Sequence, residues 1–174
     1  MQNLLDDFFG SMRVASDSSV VDKVRVLGDK VGGKLSDVYS EFLCRIEIQE
    51  IPAAHDLGGF RFLRCDEVLA AWQSFLQIDD GECEVDPDIA GDWDFRVRRF
   101  ISNSARLPIA EFNGNVWIFI DFCPAPEGLI GQVVQVDPEA MNWYWLADSF
   151  EHMLREILDG RSLNPDMGTQ DEDE

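Results

Sequence analysis

The chain has 174 residues, 45% of them hydrophobic and 28% charged, with 5 Trp and 12 Phe. That is apolar material for one domain and excludes wholesale disorder. Thirty-four acidic against fourteen basic side chains set the formal charge at -20, so the surface as a whole repels a polyanion and argues against a general nucleic-acid binder. No run of about 18 uncharged apolar residues occurs, so no transmembrane helix and no membrane partner are expected. The N-terminal stretch has no Lys or Arg before Arg13 and is interrupted by Asp6 and Asp7. It reads as neither signal nor transit peptide, and a cytoplasmic location is expected.

Leu4, Leu5, Phe8, Phe9 and Met12, then Val20, Val21, Val24 and Leu27, recur at helical spacing and predict two short amphipathic helices before a break at Gly32-Gly33. Leu35, Val38, Tyr39, Phe42, Leu43 and Ile46 predict a third, ending before Pro52. After a loop with His55, Phe60 to Leu63 partly alternates as a strand does. A helix follows with Asp66 as its N-cap and Leu69, Trp72, Phe75 and Leu76 on one face.

Composition then changes sharply. Asp79, Asp80, Glu82, Glu84, Asp86, Asp88, Asp92 and Asp94 are eight acids with no base among them, and the next twelve residues hold four arginines and no acid. With Gly81, Pro87 and Gly91, the acidic part predicts an exposed loop, and Arg96, Arg98 and Arg99 are expected to begin or flank a strand.

Leu107 to Phe112 and Asn115 to Phe122 flank Asn113-Gly114, the pair a type I′ hairpin turn favours because both central residues need positive φ. Val116, Ile118 and Ile120 alternate with Trp117 and Phe119, so this strand is apolar on both sides and is expected at the centre of a sheet. Leu129 to Val136 and Asn142 to Leu146, separated by Asp137-Pro138, make at least four strands. In the last of these, Trp143 and Trp145 share a face; core packing is the default and an adhesive patch the alternative. Asp148 with Glu151 predicts the start of a closing helix that runs to Gly160.

Chemistry-bearing residues are few. His152 falls in a helix whose neighbours account for its placement, His55 reads as a loop residue without a nucleophile or orienting partner, and no phosphate loop, HExxH or GxSxG occurs. Asp79-Asp80-Gly81-Glu82 lacks the spacing of a calcium loop. Cys44, Cys65, Cys83 and Cys123 lie 18 or more residues apart, so reduced and mostly buried thiols are expected rather than a zinc site. No catalytic residue, metal or cofactor is assigned. A hydrolase built on two carboxylates stays open, because with so many acids some pair falls within about 10 Å by chance.

Leu107-Pro108-Ile109-Ala110, Asn113-Gly114-Asn115, Trp117-Ile118-Phe119-Ile120-Asp121, Pro124, Gly128 and Gly131-Gln132-Val133-Val134 resemble the C-terminal core of the Smi/Knr family of the SUKH superfamily. Ser149-Phe150 matches that family's closing Ser-Phe helix. Lys34 to Tyr39 resembles its first helix, and Gly59 to Leu63 with the helix from Asp66 to Gln77 resembles its Gly, strand and Trp-bearing helix. Arg106 stands where the family often has Trp, Ser36 where it often has Pro, and the helices before Lys34 read as additions.

The resemblance implies an α+β fold, a mainly antiparallel sheet of about four to six strands flanked by N-terminal and C-terminal helices. The expected organisation is a helical extension at 1–33, the family domain at 34–160 and a disordered acidic tail at 161–174. It also implies a protein that is not an enzyme, of the kind that neutralises a cognate toxin in bacteria or regulates cell-wall assembly in fungi. An acidic surface suits a basic partner such as a nuclease toxin, although solubility is a rival explanation of the charge. The eight acids from Asp79 to Asp94 are the expected partner-binding residues.

Overall fold

The computed structural model describes residues 4–10, 18–32, 35–78 and 84–162. Their elements are α1 (Leu4–Phe9), α2 (Ser18–Lys30), α3 (Asp37–Ile46), β1 (Arg61–Phe62), α4 (Cys65–Ile78), β2 (Arg106–Phe112), β3 (Val116–Asp121), β4 (Gln132–Asp137), β5 (Asn142–Ala147) and α5 (Phe150–Leu158). The strands lie side by side in chain order and every pair is antiparallel. The fold is the expected α+β arrangement, with β3 in the middle of a five-stranded meander. Met12, Gly33, Lys34, Asp79, Asp80, Gly81, Glu82, Cys83 and the tail from Leu163 lie outside the described residues.

Hairpin chemistry explains the meander. Asn113 and Gly114 both have positive φ, 52° and 74°, and the Asn115 N–H donates to Phe112 O at 3.1 Å. Phe112 pairs with Val116, so three residues rather than two separate the strands. Between β4 and β5, the Asp137 carboxylate accepts the N–H groups of Glu139 and Ala140, both at 3.0 Å. β4 starts at Gln132 and not at Leu129, because Gln132 N–H donates back to Leu129 O in a turn.

The two faces of β3 serve two cores. Ile118 and Ile120 point into the helical side, where Phe42 meets Phe62, Phe150 and Phe8 with ring centroids 5.0, 4.9 and 5.9 Å apart. Truncating one such ring to Ala costs about 3–5 kcal/mol. Leu5 and Phe8 place α1 inside this core, and His55 stacks on Phe8 and donates from Nε2 to Phe8 O at 2.7 Å. Phe119 points the other way, into a second core with Val97, Val134, Val136 and Trp143.

Helix starts needed tertiary context. Ser36 caps α3 through Tyr39 N–H. α5 is capped by Ser149, which accepts His152 N–H at 3.1 Å, and not by Asp148. Asp66 does not cap α4. It lies in the first turn and pairs with Lys23, while Glu67 accepts the Arg64 N–H and Glu47 the Cys65 N–H, both at 2.8 Å. The expected apolar face of α4 is also corrected. Val68 is its deepest residue and Leu76 is exposed.

Candidate functional site

Residues 84–103 cover the second core. Val85 N–H donates to Arg99 O and Arg99 Nε donates back to Val85 O, each at 2.9 Å, so the acidic stretch folds against the arginines that follow it. Asp86 closes a turn: its carboxylate accepts Asp88 N–H, and its carbonyl accepts the N–H groups of Ile89 and Ala90. Gly91 then passes so close to Ala140 O and the Asn142 side chain that any Cβ there collides with both.

From Gly91 the chain runs along the outer edge of β5. Gly91 N–H donates to Met141 O, Trp143 N–H to Asp92 O and Asp94 N–H to Trp143 O, at 2.8 to 2.9 Å, and Trp93 makes a parallel bridge with Trp143. This pairing shields part of an otherwise open edge. Beyond Trp93 no strand forms before β2, so Arg96, Arg98 and Arg99 lie in turns and extended chain and do not begin a strand.

The arginines serve three structural ends. Arg96 is held by Asp94, with Nη2 to Oδ2 at 2.6 Å, and its guanidinium lies 3.7 Å from the Trp145 ring centroid. The hydrogen bond from Arg96 holds the Asp94 carboxyl below its ordinary value, against the opposing effect of burial. Arg99 lies over Trp93 and 3.4 Å from Glu84. Arg106 is fully buried. It donates to Phe100 O at 2.8 Å and to Arg98 O at 2.6 Å, and its nearest carboxylate is Asp121 at 3.4 Å. Gln132 adds a bond from Nε2 to Arg96 O at 2.9 Å. Three successive alternate carbonyls, those of 96, 98 and 100, are therefore gripped from below by the sheet.

The five described acids of the expected site part company. Asp94 and Glu84 are engaged by Arg96 and Arg99, and Asp86 is spent partly on its turn. Asp88 and Asp92 are exposed, and no side-chain ion pair engages either among the described residues. Asp79, Asp80 and Glu82 lie outside the described residues. What the charge count hides is the apolar content: Ile89, Trp93 and Phe95 are exposed within the same segment. Apolar residues interleaved with acids in an otherwise polar loop were the available signal.

Trp143 is wholly buried and donates from Nε1 to Phe100 O at 2.7 Å, so core packing is its role. Trp145 is half-buried in the same core. Elsewhere, Glu67 and Glu111 border a cavity of about 610 Å³. Arg61 bonds both carboxylates, at 2.8 and 3.2 Å, so neither is a free acid or base. His152 faces Glu156 at 3.4 Å and Trp145. Cys65 is buried, Cys44 and Cys123 half-buried, and all three are free thiols. Burial pushes the Cys65 thiol up to about 11 and raises that of Cys44. None of the described helices is long and apolar enough to cross a membrane.

The order of elements, the Asn-Gly hairpin, the Gly-Gln-Val strand and the Ser-Phe helix start all sit where the resemblance requires. A model of the SMI1 / KNR4 family (SUKH-1) matches residues 22–156. The chain belongs to this family. The match begins inside α2 and ends inside α5, so it takes in the whole sheet, the second core, the first core except for α1 and Ile157, and the segment that carries the acids. A comparison with curated protein sequences finds no match. In this SUKH-1 chain the Arg106 guanidinium donates to two carbonyls at once, which a side chain with a single N–H could not do.

Proposed function

We propose that this SUKH-1 chain is a non-enzymatic binding protein of the immunity type, which occludes a cognate basic toxin in the cytoplasm. Family membership supports a binding role. The observation that carries the choice of surface is the stapling of 84–100 onto the sheet by backbone pairing and by Arg96, Arg99 and Arg106. A loop held in place before binding loses little entropy on docking, and Asp86, Asp88 and Asp92 on it, together with Asp79, Asp80 and Glu82, form the acidic docking residues. Complementary charge of this kind raises association rates by about 10 to 1,000-fold.

The test mixes the purified chain with the purified product of the gene next to its own and follows binding by titration calorimetry from about 20 to 500 mM NaCl. The expected result is a complex that weakens as salt rises and that abolishes the toxic activity of that product. No complex at the lowest salt overturns the reading. A complex with a non-toxic product replaces it with regulation of an endogenous partner.

A further inference from the structure

Five of the ten exposed large apolar side chains among the described residues, Ile89, Trp93, Phe95, Leu129 and Ile130, fall on two loops, 84–100 and 122–131. Single exposed apolar residues are ordinary, but half of them carried by two adjoining loops is a concentration. The two loops are joined. Arg96 O accepts Ala125 N–H at 3.1 Å and Gln132 Nε2 at 2.9 Å, and Gln132 Oε1 accepts Leu129 N–H at 3.1 Å. One glutamine amide therefore links the residue after Phe95 to Leu129. Gly128 lies against Arg96 O with no room for a Cβ, which keeps the loops in contact.

Phe95 is 65% exposed and Leu129 54%, yet the backbones that carry them are tied down, so the apolar surface is a fixed feature of the fold. Asp92 is exposed three residues before Phe95, and Asp88 one residue before Ile89. The intrachain arginines also report on the chemistry this surface accepts: guanidinium groups lie over Trp93 at 5.0 Å and near Phe95 at 5.5 Å, as cation–π contacts do.

We propose that Phe95 and Leu129 form the apolar anchor of the partner contact and that the exposed carboxylates of the same segment steer the approach. The occupant is a basic protein presenting an apolar cleft bordered by Lys or Arg, its cations meeting Asp88 and Asp92 and its cleft receiving Phe95. This rests on the binding function proposed above and assigns its energetics. Buried aromatic anchors govern dissociation, and peripheral charges govern encounter.

The experiment measures association and dissociation rates by biolayer interferometry for the product of the neighbouring gene against the wild-type chain, the double variant Phe95→Ala/Leu129→Ala, and the triple variant Asp86→Asn/Asp88→Asn/Asp92→Asn. Far-UV circular dichroism and urea midpoints check each fold. The anchor variant is expected to dissociate at least about tenfold faster with an association rate within about threefold of wild type. The amide variant is expected to associate at least about tenfold slower at low salt and to dissociate at an unchanged rate. If the wild type binds and the anchor variant dissociates no faster, the anchor is refuted while the binding function stands. If the wild type does not bind, both fall.

Discussion

Replacing Arg106 by Met tests the physical account of how the acidic segment is held. The guanidinium is buried with Asp121, which is fully buried too. Methionine keeps the stem and removes the charge. Phe100 O retains the Trp143 Nε1 donor and Arg98 O retains the Phe100 N–H, so neither carbonyl is orphaned. The larger penalty falls on Asp121, left with Cys123 N–H at 3.0 Å and Gln132 Nε2 at 3.4 Å and no countercharge. Removing one partner of a buried ion pair costs about 3–5 kcal/mol. In a chain of this length that lowers the melting temperature by about 6–20 °C, at roughly 2–4 °C per kcal/mol. Equilibrium urea unfolding, followed by tryptophan fluorescence and circular dichroism, reads the change as a lower midpoint at constant slope. Adding Asp121→Asn removes the stranded charge, so the double variant is expected to be more stable than Arg106→Met alone. A loss below about 1 kcal/mol for the single variant, or a double variant no more stable than the single, refutes the reasoning.

Three further outcomes follow from the same contacts. Gly91→Ala drives a methyl into Ala140 O and the Asn142 side chain; a cost of about 1–3 kcal/mol is expected in urea unfolding, with faster hydrogen exchange at the Asp94 amide. Because Arg96 lowers the Asp94 carboxyl in the folded state from an ordinary 3.8, its contribution is present above that value and is lost as pH falls through the lower folded one. Asp94→Asn should therefore flatten the loss of stability below about pH 4, measured by thermal unfolding at closely spaced pH values. With its thiol raised from 9.0 to about 11 by burial, Cys65 should be alkylated by iodoacetamide at pH 8 far more slowly in the folded chain than in urea, as read by peptide mass spectrometry. The same shift predicts stability lost as pH rises from about 9 towards about 11, with Cys65→Ala removing that part.

Much of this architecture is written in local patterns. Period-two alternation marked β3 as a strand buried on both faces, Asn113-Gly114 marked the hairpin because few residues accept positive φ in succession, and helical spacing found α2, α3 and α5. These signals survive without knowledge of the fold because each depends on residues within a few positions of one another. The positions that precede α4 and α5 were missed by one or two residues, since the ends are decided by where the chain arrives and, for α4, by Glu47 just beyond α3.

The site lies at the other extreme. A run of acids was plain in the composition, but composition does not say that Glu84 and Asp94 are taken up by arginines, that Phe95 and Leu129 stand on joined loops, or that the guanidinium of Arg106 is under the sheet's cover rather than in solvent. Asp94 meets Arg96 only two residues away, but the rest depend on residues far apart in the chain meeting across the second core, as Gln132 meets Arg96 and Asn142 meets Asp92. The sequence by itself determined the α+β class, the meander and the net charge, because period, turn chemistry and ionisation are local properties. Which charges remain free, and which apolar side chains are left uncovered, was decided only by the tertiary structure, because burial and pairing belong to surfaces that exist once the chain has closed on itself.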